Sequence, residues 1–431
     1  MEADKSLVSG SMALLVLKLL EDGDKYGYQM TSELRQRSED VFHLKAGTLY
    51  PLLHSLEEKG LVTAYEREAA AGKPRRYYHL TKAGEAALRE KDNIEQEEFF
   101  LRVVGGAMGL MNSPADYASF YHEVDGQKVR HDQVHNLYGG SMTRAAGEAF
   151  ADLRPGQRTL LYSRSSFIGS HRYGGIWLGD NNSSWAQLLA NIQMMPSVQM
   201  CGFLYSGADL CGFSSDTTPD LALRWLEFGL LTPLMRNHSA VGTRMQEYYC
   251  FPEVLPAVRN MIRLRYALLP YLYSEFMKAA LENTSYFRPL AFDYPDDPDA
   301  REVEDQLLLG EGLMAAPVYV QNAHGRHVYL PESMKLLRLR AVDDYDEEIL
   351  PAGHHYIRCA LDEVLLFLRP GHIVPVAQPA NSTSELDDAS LTLWSFLPDG
   401  ESAEYRMYRD DGVTTEYEKK EHWKTLQIHH S

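Results

Sequence analysis

Residues 159–185, TLLYSRSSFIGSHRYGGIWLGDNNSSW, decide how the rest of the chain is read. Two short apolar runs, TLLYS and GGIWL, each end in polar residues and then break. A strand over TLLYS releases Arg164 at its carboxyl end. A second over GGIWL releases Asp180, and SSW then opens a helix. In barrels of alternating strands and helices the chemistry sits at that end of the strands. A second reading of Asp180 stands beside this one, because Asp followed by Asn-Asn-Ser-Ser is also good turn and helix-capping sequence.

The plan repeats downstream. MCGFLYSGADLCGF (200–213) puts Asp209 at a strand end, and LTPLMRNH (231–238) puts Arg236 and His238 there. His238 alone reads as a structural histidine. Beside Asp180 and Asp209 it reads as part of a hydroxyl-binding cluster, with the alternative that Asp209 only holds Arg164 or His238 in place.

SRSSFIGSHRYGGIWLGDN, GADLCGF and PLMRNH closely resemble the α-glucosidases of glycoside hydrolase family 31, and the resemblance runs from about residue 112 to the C-terminus. It implies that Asp180, in the W-x-G-D motif, is the general acid/base. It also implies that Arg164, Trp177, Asp209, Phe213 and His238 line the sugar subsite, with an α-glucoside or oligosaccharide as partner. The family's nucleophile lies in a W-x-D-M-N-E-P motif at the end of the fourth barrel strand. The only look-alike here is LMNSP, with Leu110 in place of the Asp. The neighbouring NSPADYASFYHEVDGQKVRHDQVHNLYG resembles the family segment downstream of the nucleophile.

Between residues 131 and 283, helical and strand-like runs alternate, as in a parallel sheet. HNLYGGSMTRAAGEAF, SSWAQLLANIQMM, PDLALRWLEFG and a stretch from about Pro256 to Leu281 are helical. TLLYSRSS, GIWLGD, CGFLYSGAD and LTPLMRN are strands. A full eight-stranded barrel takes roughly 250 residues, so this segment accounts for an incomplete (β/α)8 barrel, strands five to eight by the resemblance. Its open edges favour oligomers or aggregates. From residue 284 to 431 short β-type runs separated by turns predict an all-β sandwich. The acidic cluster DDYDEE (343–348) lacks the ligand spacing of a calcium loop and reads as a solvated loop.

The first 106 residues read differently. GSMALLVLKLL and GYQMTSELRQRS form two helices. A third has Thr48 as its cap, Pro51 in its first turn and Gly60 past its end, and Leu49, Leu52, Leu53 and Leu56 make its apolar face. LVTAYEREA and RRYYHLT then form a hairpin with Lys73, Arg75 and Arg76 around its tip. Three helices and a basic hairpin make an α+β winged helix, a module that holds DNA by a helix in the groove and cations on phosphate. KYGYQ, LKAGTLYPLLHSLEEKGLV and GKPRRYYHLTKAGEAAL resemble PadR-family transcriptional regulators. The resemblance implies DNA contacts from Lys45, Thr48, Tyr50, Lys73, Arg75 and Arg76, and a homodimer through the helix near residues 92–104. Against this, residues 1–100 carry 14 Lys and Arg against 18 Asp and Glu, a net −4. A winged helix serving only as a protein contact, and an ordinary surface helix at 92–104, therefore stand as alternatives.

The whole chain has a net charge of −18, which argues against chain-wide affinity for nucleic acid or anionic membrane. Its four cysteines have no zinc or CxxC spacing, so neither metal nor disulfide framework is expected, and no cofactor. The acidic start and the short apolar run 12–20 predict no signal peptide or membrane span, and a cytoplasmic protein. The expected organisation is multidomain: winged helix 1–106, junction 107–130, partial barrel 131–283 and β-sandwich 284–431. Three functions compete. One is an α-glucosidase-like hydrolase, inactive because the nucleophile segment is replaced. Another is a PadR-type regulator with a carbohydrate-binding C-terminal part. The third is a junction of unrelated coding segments with no joint function.

Overall fold

The computed structural model describes residues 15–37, 46–68, 74–86, 88 and 114–429. The chain divides into two compact units, Met1–Tyr121 and His122–Ser431. The division falls inside the stretch 107–130.

In the first unit, α1 (15–21) is followed by β1 (Lys25–Tyr26), α2 (Gly27–Arg37), α3 (Ala46–Glu58), β2 (Val62–Glu68), β3 (Pro74–Leu80) and a short α4 (82–86). The strands form one antiparallel sheet in the order β1-β3-β2. Leu49, Leu53 and Leu56 of α3 are buried against Val16, Leu20, Met30, Leu34 and Tyr78, the face expected from their spacing, with Leu52 partly buried beside them. The start of α3 differs from expectation. It is already helical at Ala46, so Thr48 lies inside the helix and is not the cap. Pro51 lies in the interior, where its missing N–H forfeits a helical bond. The far end is as expected: Gly60 takes φ +71°, and Leu61 N donates to Leu56 O at 3.0 Å. Lys45, Lys73, Leu110 and the helix expected at 92–104 lie outside the described residues. A short α5 (Pro114–Ser119) closes the unit.

The division falls after the first residue of β4 (Tyr121–Val124), and the second unit continues with β5 (Gln127–Arg130), α6 (His131–Leu153), β6 (Tyr162–Ser163), β7 (Gly175–Trp177), α7 (Trp185–Met200), β8 (Ser206–Gly207), β9 (Asp209–Leu210), α8 (Pro219–Gly229), β10 (Arg236–Asn237) and α9 (Leu255–Glu282). All pairings among β6 to β10 are parallel and in sequence order: Tyr162 opposite Gly175, Ile176 opposite Ser206, Arg236 opposite Asp209. This is an arc of four parallel strand positions, β8 and β9 forming one of them, with helices between. The strands are much shorter than the apolar runs suggested. Only Tyr162 and Ser163 of TLLYS enter the sheet, because the chain just before is tied elsewhere: Gln157 bridges Thr414, and Arg158 N donates to Val413 O at 2.8 Å.

The C-terminal part is β-rich. After α9 come β11 (Phe287–Pro289), α10 (Leu290–Asp293), α11 (Pro298–Glu302), β12 (Leu307–Leu309), β13 (Leu313–Ala315), β14 (Gly325–Leu330), β15 (Met334–Leu339), β16 (Tyr345–Leu350), β17 (Gly353–Arg358), β18 (Val364–Leu368), β19 (Ile373–Val376), β20 (Thr392–Ser395), β21 (Ser402–Tyr408) and β22 (Trp423–His429). The main sheet is six-stranded, β11-β12-β13-β18-β15-β16. Successive side chains on its strands point to opposite faces. Val364, Leu366 and Leu368 join the core formed by α7, α8 and α9, while Leu365 and Phe367 face a second core with Val328, Leu330 and Ile357. One face of the sheet is thus covered by barrel helices, and the layer on the other is the pair β14–β17. The DDYDEE stretch is only partly a loop: Tyr345 to Glu348 run in β16, and Asp344 and Asp346 pair with Arg340 at 2.8 and 2.9 Å.

Candidate active site

Each strand position of the arc delivers a charged or titratable side chain at its carboxyl end. Beyond β6, Arg164 Nη1 donates to Asp180 Oδ2 at 2.8 Å, and both side chains are open to solvent. Asp180 follows β7 directly and precedes α7. It does not cap that helix: Ser184 does, accepting from Gln187 N. That removes the capping role as the reason for an Asp at this position and leaves the carboxyl accessible to solvent.

The next strand position carries Asp209, and here the structure departs from a surface-lining residue. Asp209 is completely buried. Its Oδ1 accepts from Arg236 Nε at 3.0 Å and also from Arg236 Nη2, an outcome of the register that sets the two residues side by side. Burial pushes the Asp209 carboxyl above its usual range, and Arg236 and His238 pull against that shift. Asp209 therefore holds a neighbouring cation, the alternative left open by the sequence, although the cation is Arg236 and not Arg164 or His238.

Arg236 gathers the strand ends. Its Nη1 donates to Tyr162 OH at 3.2 Å, and its guanidinium lies 5.5 Å from the Tyr162 ring centroid and 5.8 Å from that of Trp177. The Tyr162 and Trp177 rings meet edge to face at 6.2 Å. Phe213 and His238 stand with ring centroids 5.3 Å apart. Arg164, Asp180 and His238 are exposed and Trp177 and Phe213 partly buried.

Buried amides hold the loops that carry these groups. Asn181 donates to Asn191 Oδ1 and to the Asp209 carbonyl, and its own Oδ1 accepts from Phe213 N at 2.9 Å. Gln246 Nε2 reaches the carbonyls of Gly212 and His238 and the side chain of Asn237. Between them Gly212 has φ +88°, and a Cβ there would sit 2.4 Å from the Ser183 backbone, so only glycine lets the 211–213 turn lie against the 181–184 loop. Tyr162, Asn181 and Gln246 were not singled out from sequence. The one local signal for Asn181 is its place in the GDNN run immediately after Asp180.

In the N-terminal unit, Thr48 and Tyr50 are exposed on α3. Arg75 and Arg76 lie on β3. Arg75 stacks 4.4 Å from the Tyr26 ring centroid, and Arg76 pairs with Glu57 at 2.8 Å. Among the described residues no helix is long and apolar enough to cross a membrane.

The family model described as the Glycosyl hydrolases family 31 TIM-barrel domain matches residues 29–275, and the Glycosyl hydrolase family 31 C-terminal domain matches residues 283–374. The chain belongs to glycosyl hydrolase family 31. It is 32% identical over 335 residues to alpha-glucosidase 2 of Bacillus thermoamyloliquefaciens, a match covering 75% of this chain and 42% of that protein. It is 32% identical over 333 residues to the lysosomal alpha-glucosidase of Bos taurus, covering 74% and 35%. Among solved structures it resembles a glucosidase II alpha subunit (TM-score 0.63, 25% identity, 90% of this chain and 43% of that one). It shares its fold with a Flavobacterium johnsoniae family 31 dextranase (TM-score 0.64, 22% identity, 88% and 48%). The chain spans less than half the length of these relatives.

Proposed function

We propose that the second unit carries the acid/base side of an α-glucoside site. Asp180 is the proton donor and acceptor. Arg164, Trp177, Phe213 and His238 surround the sugar. The observation that carries this reading is the placement of Asp180: at the carboxyl end of β7, solvent-accessible, not engaged as a helix cap, and 2.8 Å from Arg164.

We propose further that the 431-residue chain, assayed as such, does not turn over α-glucosides. A retaining glycosidase needs a second carboxyl group about 5 to 5.5 Å from the first to attack the anomeric carbon. Asp209 is a poor substitute nucleophile, being fully buried and bound to Arg236. The test is hydrolysis of an aryl α-glucoside by the full chain, with Asp180→Ala as control. No turnover is expected. Turnover abolished by Asp180→Ala would overturn the inactivity while supporting the acid/base assignment. Activity that appears when the first half of a related barrel replaces residues 1–111 would support both.

A second reading concerns the N-terminal unit. Its helix and strand order, with a three-stranded sheet ending in a hairpin and with Thr48 and Tyr50 exposed on α3, supports a PadR-like winged helix that binds DNA. Lys45, Lys73, Arg75 and Arg76 are its proposed contacts, and a homodimer through residues 92–104 its proposed assembly. Replacing Lys73, Arg75 and Arg76 together with Ala is expected to weaken binding to duplex DNA and flatten its salt dependence. Unchanged binding would remove the reading.

A further inference from the structure

The strand ends carry a cation that the acid/base reading leaves without a role. Arg236 contacts three of the four strand positions from the fourth: Asp209 beside it, Tyr162 through a hydrogen bond and ring contact, and Trp177 through its ring. A guanidinium has five N–H donors in a rigid fork. Two of these go to Asp209 and one to Tyr162 OH. Two remain without a partner among the described residues. The side chain is 27% exposed, whereas Asp209 beneath it is 1% exposed. A planar donor group partly open to solvent and lying against two aromatic rings suits a sugar, whose hydroxyls accept hydrogen bonds and whose C–H faces pack on rings.

Resting on the glucoside reading above, we propose that Arg236 meets a sugar hydroxyl at these strand ends, and that Asp209 is the positioning residue that aims it. The pair divides the work by burial. The carboxylate, out of reach of solvent, fixes the fork in one orientation, and the two free N–H groups present a defined direction to an incoming oxygen. A donor held in place before the sugar arrives loses little rotamer freedom on binding. It also discriminates, because a sugar lacking the matching hydroxyl leaves a partly desolvated donor unpaired.

The test uses the full-length chain and glucose with its 2-, 3-, 4- and 6-deoxy derivatives, binding being followed by saturation-transfer NMR. The wild type is expected to bind glucose and to discriminate against one deoxy sugar. Arg236→Gln is expected to bind glucose about tenfold more weakly, the scale of one charge-assisted hydrogen bond, and to lose discrimination at that hydroxyl only. Asp209→Asn should do the same, and the double variant should add nothing further, as expected of residues acting as a unit. An Arg236→Gln protein that binds sugar and keeps the wild-type pattern among the deoxy sugars overturns the inference and leaves the glucoside reading intact. A folded wild type that binds no sugar removes that reading and the inference with it. Should Arg236→Gln fail to fold, Arg236→Lys decides. One ammonium cannot grip Asp209 in fork geometry and also present a fixed donor, so loss of the same discrimination supports the proposal and its retention overturns it.

Discussion

Two helices of the second unit lie on the same arc of strands and are buried to opposite extents. In α8, 11 residues long, every residue from Leu221 to Gly229 is buried, including Arg224 and Glu227. In α6, 23 residues long, Thr143 alone is buried, while Leu137, Tyr138, Met142, Phe150 and Leu153 are exposed. The contrast comes from neighbours. α8 packs between the parallel strands, α9 and the β-rich part, and its paired Arg224 reaches the carbonyls of Ala360 and Glu363. α6 approaches the arc through glycines: a Cβ at Gly139 would lie 2.5 Å from Ser165 O, and one at Gly147 3.1 Å from the Tyr173 ring. That seats the helix closely but covers little of it. Hydrophobic sequence alone does not bury a helix; it also needs a second surface to meet.

The largest expected effect follows directly. Trp225 of α8 is fully buried in the main core. Trp225→Ala should cost about 3–5 kcal/mol through lost burial and the cavity left behind, read as a drop in the urea midpoint at unchanged slope. A loss below about 1 kcal/mol would mean that α8 is far less tightly packed in solution, and the contrast would fail.

The arc is held differently near β6, where polar groups take the place of a core. Asp410 accepts from Tyr273 OH at 2.9 Å, Tyr408 OH at 2.8 Å and Gly412 N at 3.0 Å, and pairs with Arg158 at the foot of the segment that delivers Arg164. Removing one member of such a buried pair costs on the order of 3 kcal/mol; Arg158, a quarter exposed, can partly rehydrate. Asp410→Ala should therefore destabilise somewhat less than Trp225→Ala. The two substitutions also separate by pH. Although burial opposes it, bonding to Arg158 and the two tyrosines holds the Asp410 carboxyl below its usual value of 3.8. A depressed carboxyl stabilises the fold above its unfolded pKa, and that stabilisation is lost as pH falls through the folded value. Wild type and Trp225→Ala should lose stability below about pH 4, and Asp410→Asn should show a flatter acid limb. Parallel acid limbs in all three proteins would exclude Asp410 as the group that titrates.

Much of the candidate site was legible because charged groups follow apolar runs directly: Arg164, Asp180, Asp209 and His238 all lie at or just beyond the strand ends. The extent of α9 was legible too: the helical stretch expected from about Pro256 to Leu281 is found at Leu255–Glu282, and Asn283 closes it with φ +57°. The pairing of Arg236 with Asp209 was not. It depends on which residue of one strand sits opposite which of the next, and register across parallel strands 27 residues apart leaves no local trace. Strand length was hidden for a similar reason, because the contacts that draw Arg158 out of the sheet come from residues near 410. In α3, Thr48 and Pro51 spell a good helix start, and the helix nonetheless begins earlier.

The smallest expected effect tests the other side of the comparison. Leu153, near the end of α6, is 77% exposed. Replacing it by Ser removes little buried area, so stability should change by less than about 0.5 kcal/mol. The same holds for Met142, 61% exposed. If either substitution instead costs about 2 kcal/mol or more, the outer face of α6 is covered in solution by something other than the residues described. Repeating the urea titration at protein concentrations a hundredfold apart then identifies the cover. A cost that grows with concentration marks a second copy, because association stabilises by mass action. A cost independent of concentration marks a segment of the same chain, and in either case the exposure of α6 would not be the feature that distinguishes it from α8.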